Sequence, residues 1–375
     1  MNRFISQKFR FYSFVCIALL MLVHGYNLND GYLQPYSMVN EDLTVTTFVE
    51  YFLANGALRF RIPMLFIISG YIFAQRDYRP YAERVRNRFT TLMVPYFIWG
   101  AVGLAITFLL QQFPFTAQMV AATELDQLGD NRPYAQIGWG GVLYRWALAP
   151  ISFQLWFIRS LFMYNILYPV FRWLVTRVTA IWFIVVFLLW YLGFQFIFIE
   201  GQGMIFFSLG IWLNKTNYPI DKKPEWFSHY LGWLFFIGAS VIKTFMAYEL
   251  EVDPNANFWR SFPFWSLISL HTITVVAGIV VVWFGCDGLV RWCLSKKWFL
   301  WASSFAFVIY GLHVPIIQYL TTFLFWAWSD FPNYRLLTYF AAPAMVLAFC
   351  ICTGAFLRST FPKLYKVMTG GRGFQ

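Results

Sequence analysis

The chain has 375 residues, of which 59% are hydrophobic and only 12% charged, whereas a soluble globular domain carries about 25% charged residues. So little polar surface cannot coat a water-soluble particle. The formal charge of +11 does not mark a nucleic-acid binder either, because the basic residues lie in short loops between apolar runs and form no basic face.

Apolar runs close to the ~20 residues that cross a bilayer recur along the whole length. They predict an all-α integral membrane protein, a polytopic bundle of about ten helices. The spans are expected at roughly 11–28, 56–75, 92–110, 153–171, 179–199, 202–213, 227–248, 263–286, 299–327 and 336–356. The sixth is short for a span, and the ninth contains Pro315, which predicts a kink. The N-terminal MNRFISQKFR is basic, but no small-x-small cleavage site follows, so the first run reads as an uncleaved span. With the N-terminus inside, the inner segments collect nearly all Lys and Arg. The outer ones hold only Arg132, Arg145, Arg260 and Arg335. This asymmetry puts both termini in the cytoplasm. The chain reads as one membrane-embedded domain, with a core over about 8–357 and a cytoplasmic tail over 358–375. The five cysteines are odd in number and mostly lie in apolar runs, so they outline neither a zinc site nor a disulfide framework.

Ionisable residues at membrane depth are functional candidates. In SFVCIALLMLVHGY, residues 13–26, His24 stands thirteen residues after Phe11. That is about 20 Å into a core of roughly 30 Å. An imidazole titrates near neutrality and suits a general base or an acyl-transfer nucleophile. Arg59 and Arg61 stand at the start of the second span, just before Pro63, and Arg76, Arg79, Arg84, Arg86 and Arg88 crowd the loop after it. Guanidinium groups match phosphates in a bidentate way, while a positive-inside loop is basic in any case. Arg159 lies within QLWFIRSLFMYNILYPV, with Trp156 beside it as a secondary candidate. Glu50 and Glu200, near the outer side, are possible partners for Arg159. His313, in VIYGLHVPI, stands beside helix carbonyls that Pro315 leaves without a donor. Lys243 and His271 are the other ionisable residues at depth. The longest outer segment, 111–152, contains ELDQLGDNRPYAQIGWGG, where Tyr134 and Trp139 offer rings for a sugar to stack on.

A first span ending in His is followed by IPMLFIISGYIF, an Arg-rich loop closing on Pro-Tyr, LWFIRSLFMYNILYP and a late YGLHVPI. In this order the motifs resemble the acyltransferase 3 family of integral membrane acyltransferases over about residues 8–357. The resemblance implies ten spans and transfer of an acyl group, most often acetyl, from cytoplasmic acyl-CoA. It also implies a sugar hydroxyl of a surface glycan, or a small molecule, as acceptor. His24 corresponds to the family's first-span histidine and Arg84–Arg88 to its arginine loop. Two positions depart from the pattern. Ser13 stands where many members carry a basic residue, and Arg10, one turn away, is the expected substitute at the membrane edge. Thr91 stands where a second arginine would follow Arg88, with Arg84 and Arg86 to compensate. The esterase-like domain that some members carry after the bundle is not expected here.

The expected mechanism has His24 as base or acyl carrier, with Arg59, Arg61 or Arg159 stabilising negative charge. Arg84, Arg86, Arg88 and Arg10 hold the donor, and Ser13, His313, Glu50 and Trp156 are secondary candidates. Acyl-CoA enters as a co-substrate; no resident cofactor, metal or nucleic acid is expected. The expected setting is a bacterial inner membrane. A transporter of a polysaccharide or lipid-linked sugar, using the same charges to line a path, is the alternative.

Overall fold

The computed structural model describes residues 3–28, 33–125, 132–196, 198–250 and 261–373. Its helices are α1 (Arg3–His24), α2 (Val45–Tyr51), α3 (Arg61–Gln75), α4 (Tyr81–Arg88), α5 (Val94–Leu110) and α6 (Pro114–Ala122). They continue as α7 (Gly138–Ala147), α8 (Trp156–Ile166), α9 (Tyr168–Arg177), α10 (Thr179–Tyr191), α11 (Gly201–Lys215) and α12 (His229–Glu249). The last are α13 (Phe262–Gly285), α14 (Asp287–Leu294), α15 (Lys297–Ser303), α16 (Ala306–Ala327), α17 (Tyr334–Thr360) and α18 (Pro362–Met368). Two wide π-helical turns, Phe52–Ala57 and Phe89–Met93, follow α2 and α4. A two-residue hairpin, Gln195–Phe196 with Ile199–Glu200, is the one strand pair among the described residues.

The chain is thus an all-α membrane protein. Among the described residues, seven helical segments are long and apolar enough to cross a bilayer: α1, Val45–Gln75, Tyr81–Leu110, α12, α13, α16 and α17. The other three expected spans are built from shorter helices. The fourth breaks after Ile166 and restarts as α9, because Pro169 has no N–H to give a continuing helix and fits only its first turn. The fifth, α10, has 13 residues before the hairpin, and the sixth, α11, has 15. The second begins earlier than expected, at Val45, where Thr44 and Thr47 cap each other's backbone reciprocally. Arg59 and Arg61 therefore lie midway along a 31-residue segment rather than at its start. The ninth kinks as predicted: Val314 leaves helical backbone, with φ −104° and ψ 131°, and the Val314–Pro315 bond is cis. The outer segment carries α6 and α7, while residues 126–131 within it, and Arg260, lie outside the described residues.

The chain forms two compact units, Met1–Tyr78 with Leu167–Leu300 and Arg79–Ile166 with Trp301–Gln375. In the first, α3 and α11 pack backbone to backbone. A Cβ on Gly70 would stand 2.1 Å from the Phe207 carbonyl oxygen, and one on Gly210 2.1 Å from that of Ile67. Association in lipid gains from packing rather than from water exclusion, so small residues at such a crossing decide how closely the helices approach. At the ends of these helices Asp77 accepts from the Tyr168 hydroxyl at 2.9 Å and pairs with Lys215 and Arg172. On α1, buried Lys8 pairs with Asp287 at 2.6 Å and lies 4.2 Å from the centre of the Trp283 ring.

In the second unit, α16 packs along α17 and α5. Residues 358–373 are packed against the unit. Tyr365 and Thr369 are fully buried, and the Met368 carbonyl accepts the indole N–H of Trp99 at 2.9 Å. Large apolar side chains stay exposed on α10, α12 and α17, among them Ile181, Leu234 and Phe349, on faces that acyl chains cover in a bilayer.

Candidate active site

His24 is the last residue of α1, half-buried, and the chain leaves the helix beside it. Three residues later the backbone N–H of Asn27 donates to the carboxylate of buried Glu50 at 2.8 Å. Arg59 donates to the Leu33 carbonyl. Glu50 and Arg59 belong to one helical segment, and nine residues of regular helix would set them on opposite faces. The wide turn Phe52–Ala57 and the turn after it shift that phase, so both side chains grip the stretch that follows His24. Val23, Leu28 and Leu33 pack with Tyr51, Ala54 and Leu267 into one apolar cluster beneath this stretch.

A second buried polar group lies in the same unit. Lys243 donates to the Asn55 carbonyl at 2.6 Å, inside the wide turn, and its Nζ is 3.5 Å from His271 Nδ1. The Asn55 amide donates to the Gln34 carbonyl at 3.0 Å, and Arg59 is close enough to act electrostatically on both Lys243 and His271. Arg61 lies two residues after Arg59. It is buried, donates to the Leu58 carbonyl, and interacts electrostatically with Cys16. Cys16 is eight residues before His24, about 12 Å lower along the helix. Arg10 donates to the Leu300 carbonyl at 2.9 Å, and Ser13 is half-buried one turn further on. Arg10 is fourteen residues before His24, about 21 Å of helix away.

The second unit holds the other expected residues. Arg84 is buried against the Tyr81 ring, 5.9 Å from its centre; Arg86 is exposed and Arg88 half-buried. The Tyr81 hydroxyl donates to the Ile166 carbonyl at 2.7 Å, tying α4 to the end of α8. Arg159 donates to the Leu148 carbonyl and lies within hydrogen-bonding reach of the Tyr96 phenol. Trp156, half-buried, opens the same helix. Fully buried His313 has its Nδ1 2.8 Å from the Ile309 carbonyl. Pro315 leaves the Gly311 carbonyl without its helical donor. The Gln154 amide supplies one, donating to the carbonyls of Tyr310 and Gly311 at 3.2 Å each, and the Ser152 hydroxyl donates to that of Val314 at 3.0 Å. Of the two expected sugar platforms, Trp139 is 84% exposed. Tyr134 is buried among Leu104 and Ile151 and has no face to offer. No cluster of metal-ligating side chains occurs among the described residues.

A half-buried histidine thus ends α1, and three arginines share the short helix α4. The family model described as an acyltransferase domain, that of acyltransferase 3, matches residues 14–356. The chain belongs to this family. It is a membrane acyltransferase, as the resemblance implied. Over 385 residues it is 24% identical to the succinoglycan biosynthesis protein ExoH of Rhizobium meliloti (strain 1021), covering 99% of this chain and 94% of that one. No solved structure matches it.

Within this acyltransferase, three features escaped the sequence reading. Lys243 and His271 stood out as buried ionisable residues, but nothing in the sequence joined them to Asn55. Gln154 lies inside the expected fourth span, 153–171, and nothing in the sequence joins it to Tyr310 or Gly311. Arg372 was counted as tail, yet its guanidinium donates to the carbonyl of Thr91 at 2.8 Å. Burial, with Arg88 close by, lowers the Arg372 guanidinium to about 10, so it stays charged at neutral pH.

Proposed function

We propose that this acyltransferase moves an acyl group, acetyl in the first instance, from cytoplasmic acyl-CoA to a hydroxyl of a carbohydrate bound for the cell surface. The observation that carries the donor assignment is the arginine-rich short helix α4 of the second unit, which holds Arg84, Arg86 and Arg88 with a single carboxylate, Glu83. Guanidinium groups of this kind fit the phosphates of CoA. A relative named for succinoglycan biosynthesis supports a carbohydrate as the class of acceptor.

His24 is the proposed base. Its imidazole takes the proton of the acceptor hydroxyl, and the oxygen attacks the thioester carbonyl. The carbon–sulfur bond breaks, and the CoA thiolate receives a proton from the imidazolium, leaving an ester and free CoA. The oxyanion formed on the way needs a fixed positive charge. Of the three arginines considered, Arg59 is the one that grips the stretch following His24. Arg61 and Arg159 are assigned to the scaffold, Arg10 to capping Leu300, and Glu50 to holding Asn27. The positive-inside asymmetry supports ten spans with both termini in the cytoplasm of a bacterial inner membrane.

The test is expression in a bacterium that makes an unmodified surface polysaccharide, followed by mass spectrometry of that glycan. An added acyl mass, labelled when the acetyl-CoA pool is labelled, is the expected result. A glycan exported in greater amount without any acyl mass would support transport instead.

A further inference from the structure

Residues 358–375 hold Arg358, Lys363, Lys366 and Arg372 and no carboxylate. Positive-inside sorting accounts for such a composition without any fold. Its described part, residues 358–373, is nevertheless built into the second unit. The Tyr365 hydroxyl donates to the Ser304 carbonyl at 3.3 Å. The hydroxyl of buried Thr369 donates to the Tyr365 carbonyl at 2.8 Å and lies 2.9 Å from that of Arg372, which turns the chain back on itself. Arg372 Nη1 then donates to the carbonyls of Thr91 at 2.8 Å and Thr369 at 3.0 Å. Its guanidinium lies 4.6 Å from the centre of the Phe307 ring. Arg358 is fixed in the same way, donating to the Ser304 hydroxyl at 2.8 Å and the Gly373 carbonyl at 3.1 Å, 4.3 Å from the centre of the Phe305 ring.

Thr91 belongs to the wide turn that begins directly after Arg88. The folded tail therefore brings a fixed guanidinium to within one turn of Arg88, and the two interact electrostatically. Residues 79–93 and 358–375 together carry eight cationic side chains against the one carboxylate of Glu83, and that carboxylate faces Arg79 at 3.7 Å. Like charges held together on buried anchors repel, and a phosphate, with several acceptor oxygens and up to two charges, relieves that repulsion. A loose cationic tail would gain nothing from burying Tyr365 and Thr369. Anchors of this kind hold an arginine at one place.

We propose that Arg372 is a donor-binding residue: with Arg88 it forms a two-guanidinium clamp on a phosphate of acyl-CoA, and the C-terminal segment is folded to deliver it. The proposal rests on the reading of the arginine-rich helix α4 as the donor site. The same chemistry would fit an anionic lipid headgroup, so the test separates the two sources.

Full-length protein is placed in phosphatidylcholine nanodiscs, with or without phosphatidylglycerol, and titrated with CoA and with pantetheine, which lacks the nucleotide phosphates. Arg372→Gln is expected to weaken CoA about tenfold, the loss of one charge-assisted contact, and to leave pantetheine unchanged. Arg88→Gln is expected to behave alike. If Arg88→Gln weakens CoA and Arg372→Gln does not, this proposal fails and the donor site stands. If neither variant weakens CoA, the donor reading itself fails. Normal CoA binding by Arg372→Gln together with lost retention of phosphatidylglycerol would overturn the proposal in favour of a lipid headgroup. Should Arg372→Gln not assemble, Arg372→Lys keeps the charge and loses the fork. Weakened CoA at an unchanged melting temperature supports the clamp, and wild-type affinity overturns it.

Discussion

Asp77 is a single carboxylate at the end of α3 that answers to a tyrosine of α9, an arginine of α9 and a lysine of α11. Burial pushes its carboxyl up, but Lys215, Tyr168 and Arg172 outweigh burial and hold it below the ordinary carboxylate value. The folded state therefore binds fewer protons than the unfolded one near that value. The stabilisation is complete above the unfolded pKa, about 4, and is lost as the pH falls through the lower folded value. Detergent-solubilised protein is expected to lose melting temperature between about pH 5 and pH 3. Asp77→Asn should start lower at neutral pH and show less of that acid-dependent loss; an unchanged profile would mean that the cluster contributes nothing.

Single residues were legible in the sequence to the extent that they broke an apolar pattern. His24, Arg59 and the Arg84–Arg88 run all stand out for that reason. Their partners do not, because partnership is set by the fold. Arg59 reaches Leu33 across 26 positions, Lys243 reaches Asn55 across 188 and Arg372 reaches Thr91 across 281. The order of short motifs was enough for the family, and a charge count was enough to hide Arg372 in a tail.

Helices show a similar division. Long apolar runs were read as spans, and α1, α5, α12, α13, α16 and α17 follow them. The breaks were harder to see. Thr46, Thr47, Glu50 and Asn55 interrupt the apolar run, which hides the early start of the second segment at Val45, and the π-helical turn that follows leaves no mark in hydropathy. Two changes test how the helices are held. Gly210→Leu puts side-chain atoms where the Ile67 carbonyl lies, and should cost on the order of 3 kcal/mol, read as a lower melting temperature with α3 and α11 forced apart. Gln154→Leu leaves the carbonyls of Tyr310 and Gly311 without the donor that replaces the one lost to Pro315. An unmet buried carbonyl costs about 1–3 kcal/mol, so thermal unfolding should shift down by a corresponding amount. A shift near zero would show that another donor caps the break.

At the scale of the whole molecule, the proposed sidedness rests on the distribution of basic residues and not on packing. A green fluorescent protein fused to the C-terminus should fluoresce, and alkaline phosphatase fused there should be inactive; active phosphatase would contradict the cytoplasmic placement of Arg358–Arg372. That placement matters because donor binding is assigned to the second unit and proton transfer to the first. The most direct measurement is release of free CoA by purified protein supplied with acetyl-CoA and an acceptor glycan, comparing wild type with His24→Gln. The release rate should fall by about two to four orders of magnitude, with the affinity for CoA unchanged. Transfer at the wild-type rate by His24→Gln would contradict the role assigned to His24 and, with it, the mechanism.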